Sequence, residues 1–517
     1  MVFFVTQGRH IHSETFLKIC DGISLWGLIL LFFAMPFERE QRVFYYTSQI
    51  MAISGWLARI LVESGARQWR RTIIHFGLMI AVSIPLTLLF GHKPTSDVLR
   101  SFFWELGVLS FYVLFIINRE NPFRPAVSGW KVKKLFDFFL GAYGVWILFS
   151  CFLSWFPEDS FSQLRKGFIA FLLIYLCISN IRSFGRFRKI VFAGFLSILI
   201  TSIIILVQGL AYRYGDFDIK MWLVRKEAVR PFSPGTDNPL FHSQFPFDHF
   251  HKAGMFLAMG LHLVLLQYFI TVKRVTRRWV AVAGGIVLAA LLFTLTRGAL
   301  VAALAALIFL IVLTRKKYLT AVVALLAILA LFIPVEMKRF YGDSFHPASL
   351  RNPTSLLGFR VSRWALTAEI ILRNPVFGTG YGVKQYQDVA RVYSPQIRME
   401  SRPHPHSWYL QTAHESGIPG LLFFLAFTTL LVAILYLRWR RESPVSYYRG
   451  INAAFLSLLT VPYLFGLVGF VHYGAPGMFV WITFGLCASY LKLTVKPRDI
   501  EEMRRELASR EEPVDLP

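Results

Sequence analysis

Apolar runs of membrane-span length, separated by short polar stretches, recur along nearly the whole chain. They fall at 16–36, 46–62, 72–90, 102–118, 135–156, 166–180, 189–209, 253–271, 279–294, 298–313, 319–334, 417–437, 451–470 and 476–493. A hydrocarbon core of about 30 Å takes about 20 helical residues, and backbone in lipid must satisfy its own hydrogen bonds, so each run is predicted to be a helix. The alternating pattern of a closed β-barrel does not occur. The expected fold is all-α: a polytopic transmembrane helical bundle of about twelve to fourteen spans with a long, partly helical outer loop. The second and fourth runs carry Arg59 and Glu105, charges that belong toward the bundle interior or an aqueous cavity. The first run ends in Met35-Pro36-Phe37-Glu38 with no small-residue cleavage site, so it reads as a span rather than a signal peptide.

Charge then orients the bundle. Arg67/Arg70/Arg71, Arg182/Arg186/Arg188/Lys189, Lys273/Arg274/Arg277/Arg278 and Arg438/Arg440/Arg441 crowd alternate short loops, whereas the loops between them hold one or two basic residues or none. The positive-inside rule makes the crowded set cytoplasmic, and with it both termini. The predicted organisation is N-terminal spans over 1–209, an outer loop over 210–252, central spans over 253–334, a large outer loop over 335–416 that would carry the chemistry, C-terminal spans over 417–493 and a cytoplasmic tail over 494–517.

Composition agrees: 55% of the 517 residues are hydrophobic, and the net charge of +25 is largely accounted for by topology, so it does not argue for nucleic-acid binding. Cys20, Cys151, Cys177 and Cys487 all fall inside predicted spans with no paired spacing, and imply neither a disulfide framework nor a metal site.

Candidate chemistry gathers on the outer side. His404-Pro405-His406-Ser407-Trp408-Tyr409-Leu410, followed by Glu415-Ser416-Gly417-Ile418-Pro419-Gly420, places titratable groups and a glycine turn where the chain enters lipid. The loop 335–416 favours Arg over Lys, and a guanidinium fork suits phosphate or carboxylate; a solvated loop against anionic headgroups is the alternative. Within it, Arg360, Arg363 and Trp364 open a helix-spaced segment with Ala368 and Ile371, ending at Asn374-Pro375, that would put Arg360 and Trp364 on one face. Gly378-Thr379-Gly380-Tyr381-Gly382 is a turn that lets backbone approach something closely, with no strand context for a dinucleotide fingerprint. Arg297, between two apolar runs, would clamp a phosphate at headgroup depth or simply snorkel. His249 and His251 open another span and could line a substrate entrance. Asp216-Phe217-Asp218 is a possible divalent-cation pair, and His404/His406/His414 or His242/His249/His251 a possible zinc set; short spacings of this kind recur by chance, and the expectation is no metal and no cofactor.

These residues carry a resemblance. Thr296-Arg297-Gly298 resembles the Ser-Arg-Gly element of the O-antigen ligase and O-antigen polymerase family. Gly358-Phe359-Arg360 with Trp364, and Asn374-Pro375-Val376-Phe377-Gly378-Thr379-Gly380-Tyr381-Gly382, resemble its loop segment. His406-Ser407-Trp408-Tyr409-Leu410 with Glu415-Ser416-Gly417 and Gly420 resembles its His-Asn-x-x-Leu and Glu-x-Gly-x-x-Gly signature. The likeness covers about 250–420; Ser407 departs from the usual Asn, and the predicted spans outnumber those typical of the ligases. It implies a membrane-embedded glycosyltransferase with an undecaprenyl-diphosphate-linked glycan as donor and a lipid A-core sugar, or a second lipid-linked glycan, as acceptor, in the bacterial inner membrane with its active site periplasmic. It would make His406 catalytic and Arg297 and Arg360 ligands of the donor diphosphate; Arg363, His404, His414, Glu415, His249 and His251 are candidate accessory residues beside them. A protein O-oligosaccharyltransferase is a further alternative. So is a glycolipid transporter or flippase, although a transporter is expected to carry its functional charges near the midplane.

Overall fold

Thirteen α-helices lie among the residues that the computed structural model describes, 10–37, 42–63, 130–214, 229–231, 241–243, 246–247, 249–315, 356–394, 404–443, 446–469 and 474–493. They are α1 (His10–Ala34), α2 (Arg42–Glu63), α3 (Trp130–Phe152), α4 (Pro157–Asn180), α5 (Phe184–Tyr214), α6 (Phe250–Ile270), α7 (Arg274–Phe293), α8 (Arg297–Thr314), α9 (Leu356–Arg373), α10 (Val383–Tyr393), α11 (Trp408–Arg441), α12 (Tyr447–Val468) and α13 (Gly474–Leu493). Two three-residue strands, β1 (Val229–Pro231) and β2 (Phe241–Ser243), form an antiparallel pair with Arg230 opposite His242. The chain is an all-α polytopic membrane protein: nine of the described helices are long and apolar enough to cross a bilayer. The predicted spans 72–90, 102–118 and 319–334, Asp216 and Asp218, and the tail 494–517 lie outside the described residues.

Two predicted spans differ in character from the nine. The run 46–62 is helical within α2 but less apolar, because it carries Arg59 together with Ser48 and Gln49 on buried positions. Small residues compensate by close approach: a Cβ on Gly27 would collide with the backbone of Ala52, and one on Gly55 with the backbone of Cys20 and Ser24. The run 166–180 belongs to α4, which starts earlier with Pro157 in its first turn beside Glu158 and Asp159, residues suited to a helix N-terminus. One continuous apolar core joins α1 to α8 and α11 to α13. A small separate core of Ile370, Tyr386, Val389 and Ala390 holds α9 to α10.

The third difference is a break. The predicted span 417–437 is the second half of α11, whose helix is interrupted at Gly417 (φ 71°, ψ −179°). A left-handed φ of this kind is natural only for glycine, and Pro419 just beyond it lacks the N–H that would continue the ladder back to Glu415.

Candidate functional site

At one end of the bundle α3, α7 and α12 finish while α4, α6, α8 and α11 begin. The junction between α7 and α8 is only Thr294 to Thr296. Leu295 takes a left-handed φ of 49° there, a costly conformation for a branched side chain. Thr296 caps α8 with its backbone and donates its hydroxyl to Phe250 O at 3.0 Å, which ties the start of α8, and with it Arg297, to the start of α6. His249 caps α6: its Nδ1 accepts the His251 N–H at 3.2 Å, which fixes that nitrogen as the acceptor. The His249 and His251 rings stack at 5.0 Å. The start of α11 packs on the last turns of α12, where Ser407 Oγ donates to Gly466 O at 3.3 Å and Tyr409 donates to Tyr463 O at 2.9 Å.

From the large loop, α9 presents Arg360, Arg363, Thr367 and Ile370, a stripe at i, i+3, i+7 and i+10. Arg360 is half-buried and the other three are buried. Of the apolar positions at helical spacing, Ile371 is buried, while Trp364 and Ala368 flank the stripe half-buried. The stripe turns toward α10 because Thr367 shares a 3.0 Å hydrogen bond with the buried Tyr386 hydroxyl and donates to Arg363 O at 2.6 Å. Arg360 lies close enough to Arg297 that, after burial, the repulsion between them is the second cause holding its pKa below the ordinary arginine value. Both remain cationic.

His406 completes the cluster. It has a left-handed φ of 52°, uncommon for a non-glycine residue though less so for histidine, and its ring lies 3.7 Å from that of His404. Burial, then His404, Arg360, His251 and Arg363, push the His406 pKa down to about 2. Burial, then His249, Arg363 and Arg360, push His404 down to about 4. Both rings are held below the ordinary histidine value, chiefly by burial. The structure thus brings together Arg297, Arg360, Arg363, His404, His406, His249 and His251 from α6, α8, α9 and the approach to α11. Among the described residues no three of His, Cys, Asp and Glu stand as a metal-binding group.

His414 and Glu415 stand apart from this cluster, at the α11 break, where the segment Pro375–Gly382 enters. In an unbroken helix the Ile418 N–H would bond to His414 O. Here the Ile418 N–H bonds to Pro375 O at 2.8 Å, and His414 O accepts the Thr379 N–H at 2.9 Å. The Glu415 carbonyl accepts the Ser150 hydroxyl, and the Ser416 carbonyl accepts the Trp146 ring N–H at 2.9 Å. Side chains continue the seam: Thr379 Oγ1 meets His414 Nε2 at 2.9 Å, and the buried Glu415 carboxylate accepts from the Gly382 N–H at 3.2 Å and from Gln411 at 2.6 Å. A Cβ on Gly378 or Gly417 would run into the opposing backbone. The close approach expected of the glycine turn is therefore made to α11. Sequence reading missed α10, Tyr386, Trp146 and Ser150. The spacing of Tyr386, Val389, Ala390 and Tyr393 was the available signal for α10, but a polar helix of 11 residues is weak evidence by periodicity alone.

Residues 282–425 match the O-antigen ligase family model. No curated protein matches the chain. The matched region contains Arg297, Arg360, Arg363, His404, His406, His414 and Glu415, whereas His249 and His251 precede it.

Proposed function

We propose that this chain, whose residues 282–425 match the O-antigen ligase family model, transfers a preassembled glycan from undecaprenyl diphosphate to a lipid A-core sugar. The observation that carries this reading is the convergence of Arg297 and Arg360, from separate elements, beside His406. Two forks of like charge held in one half-buried place fit a diphosphate, whose negative charge grows as the anomeric bond breaks, and oriented donors aimed at that charge are worth most where water is excluded. His406 takes the proton of the acceptor hydroxyl as its oxygen bonds to the anomeric carbon, and undecaprenyl diphosphate leaves from the opposite face, which inverts the configuration. Burial depresses His406 first and the nearby cationic charge adds to it; a bound diphosphate offsets that second part, so the ring gains basicity where the base is needed.

The placement of charges favours an enzyme over a transporter, because the cluster sits at one end of the bundle rather than at the midplane. Basic residues such as Arg186, Arg277 and Arg438 lie toward the opposite end, as a cytoplasmic face opposite a periplasmic site requires.

The test is the surface glycolipid of a deletion strain complemented with His406→Ala. Core bearing no glycan supports a ligase, core capped by one repeat points to a polymerase acting on a second lipid-linked glycan, and wild-type glycolipid removes His406 from the mechanism. With arginines supplying the positive charge, transfer is expected to survive EDTA and the combined Asp216→Ala and Asp218→Ala substitutions.

A further inference from the structure

The seam between Pro375–Gly382 and the α11 break lies outside the Arg–His cluster and is held by its own main-chain and side-chain hydrogen bonds. Three main-chain groups left over by the interruption at Gly417 and Pro419 are each taken up. Pro375 O takes the Ile418 N–H, the Thr379 N–H takes the His414 carbonyl, and Ser150 takes the Glu415 carbonyl. On the other side of the segment, Thr379 O accepts from the Trp155 N–H at 3.1 Å and from Ser154 at 3.0 Å. Phe377 stacks on Trp146 at 5.0 Å, and Lys384 pairs with Asp159 at 2.6 Å. One short segment is thereby fixed to α3, α4 and α11 together.

The segment is also the direct continuation of α9. Asn374, at the helix end, donates its N–H to Ile370 O at 3.1 Å and accepts the Gly378 N–H at 3.1 Å, so no slack separates Arg360 and Arg363 from the seam. A second connection runs through side chains. The Tyr386 ring meets the His414 ring edge-on at 5.0 Å, and the Tyr386 hydroxyl reaches Thr367 on the Arg360/Arg363 stripe. Both routes start at His414–Glu415 in α11 and end at the loop arginines. His406 stands at the beginning of the same helix, one residue before its cap.

We propose that the break in α11 and the Pro375–Gly382 segment form a positioning device that sets the loop arginines against His406, with Thr379, His414, Glu415 and Tyr386 as positioning residues. It rests on the reading of the Arg–His cluster as the transfer site. On this view Glu415 holds a main-chain N–H rather than exchanging a proton, and Gly378 is a glycine because its backbone must enter the helix break, while Gly380 and Gly382 lie against Ser154, Ser160 and Gln163.

The experiment pairs turnover with a distance that does not depend on activity. Spin labels at Leu372→Cys, in the last turn of α9, and Leu422→Cys, in α11, are both on exposed positions, and the four native cysteines are buried. Turnover is measured with lipid-linked glycan extracted from the deletion strain. Thr379→Val and Glu415→Ala are expected to broaden the distance distribution and slow turnover by about 10²-fold, the size of effect that misplacement by about 1 Å produces. Thr379→Ser and Glu415→Gln, which keep an oxygen at the seam, are expected to restore both, and Gly285→Ala, where a Cβ meets open space, to change neither. A narrow distribution with normal turnover in Thr379→Val and Glu415→Ala overturns the proposal, as does a broad distribution with normal turnover. A narrow distribution with Glu415→Gln as slow as Glu415→Ala overturns it too, in favour of proton exchange by Glu415. If the wild-type chain transfers no glycan, the transfer reading fails and the distances alone decide whether the seam holds the loop.

Discussion

The rings of His404 and His406 lie 3.7 Å apart, centroid to centroid, with 40° between their planes. Burial comes first in holding both below the ordinary histidine value, His404 at about 4 and His406 at about 2, and the nearby charge of Arg360 and Arg363 adds to it.

A dependence of stability on pH follows, with a definite sign. In the unfolded chain both histidines titrate near 6.5, so below that pH the unfolded state binds more protons than the folded state and stability falls. The loss begins as pH drops through about 6.5 and continues toward about 4 for His404 and about 2 for His406. The thermal inactivation midpoint of the substrate-free protein is expected to decline from pH 6.5 to 4.5, and to decline less in His406→Gln. Equal declines in the two proteins would show that the folded site does not hold His406 neutral.

Replacing an arginine by lysine separates fork geometry from charge. Arg297 sits in the first turn of α8 and Arg360 on the inner stripe of α9, and a lysine at either position keeps the charge but loses the bidentate fork. Losing one oriented donor to a developing oxyanion costs about 3–4 kcal/mol, or roughly 10²–10³ in rate. Arg297→Lys and Arg360→Lys are expected to show that loss. Arg391→Lys is not, because Arg391 faces Asp388 on α10 at 3.3 Å. Wild-type turnover in all three would make the loop an electrostatic attractor rather than a clamp.

The span pattern was legible because lipid leaves the backbone no alternative to the helix; Arg297 stood out as a charge at a span junction, and Arg360 and His406 through the motifs that carry the family resemblance. What could not be read was the partner of each. Gly378 and Gly417 are 39 positions apart in the sequence, and nothing local to either says that one backbone fills the gap left by the other. Thr367 went unread for a related reason: it is buried and bonded to Tyr386, a contact between two helices, whereas the apolar spacing along α9 picks out Trp364, Ala368 and Ile371.

Ser407, where the family signature has asparagine, is explained by its place in the fold. It is the N-cap of α11, with its hydroxyl accepting the Leu410 N–H at 3.5 Å, and serine and asparagine are both strong N-caps because each offers a short side-chain oxygen to the free N–H groups of the first turn. Ser407→Asn is therefore expected to keep thermal stability and transfer within a small factor of wild type. Ser407→Ala is expected to lose about 1 kcal/mol of stability. An unchanged melting midpoint in Ser407→Ala would show that the cap contributes nothing to the fold.

At Asp21 the same reasoning reaches the opposite side of the bundle. Arg59, 1% exposed within α2, donates to Asp21 of α1 at 2.7 Å and to the Ser179 carbonyl of α4 at 3.4 Å, while the other Asp21 oxygen takes Arg186 of α5 at 2.6 Å. One carboxylate thus joins four helices, and the intramembrane arginine faces the bundle interior as its cost in lipid requires. Removing the shared anion takes from the buried Arg59 its carboxylate partner, whereas the Arg186 side chain is 30% exposed and keeps part of its hydration. Breaking a buried pair from one side costs about 3–5 kcal/mol. Asp21→Leu is expected to lower the thermal midpoint and the amount of folded protein sharply, and the double variant Asp21→Leu with Arg59→Leu to recover part of the loss, since it removes the stranded charge as well. A double variant as unstable as the sum of the two single ones would show that Arg59 and Asp21 act independently, and that packing rather than charge pairing holds α1 to α2.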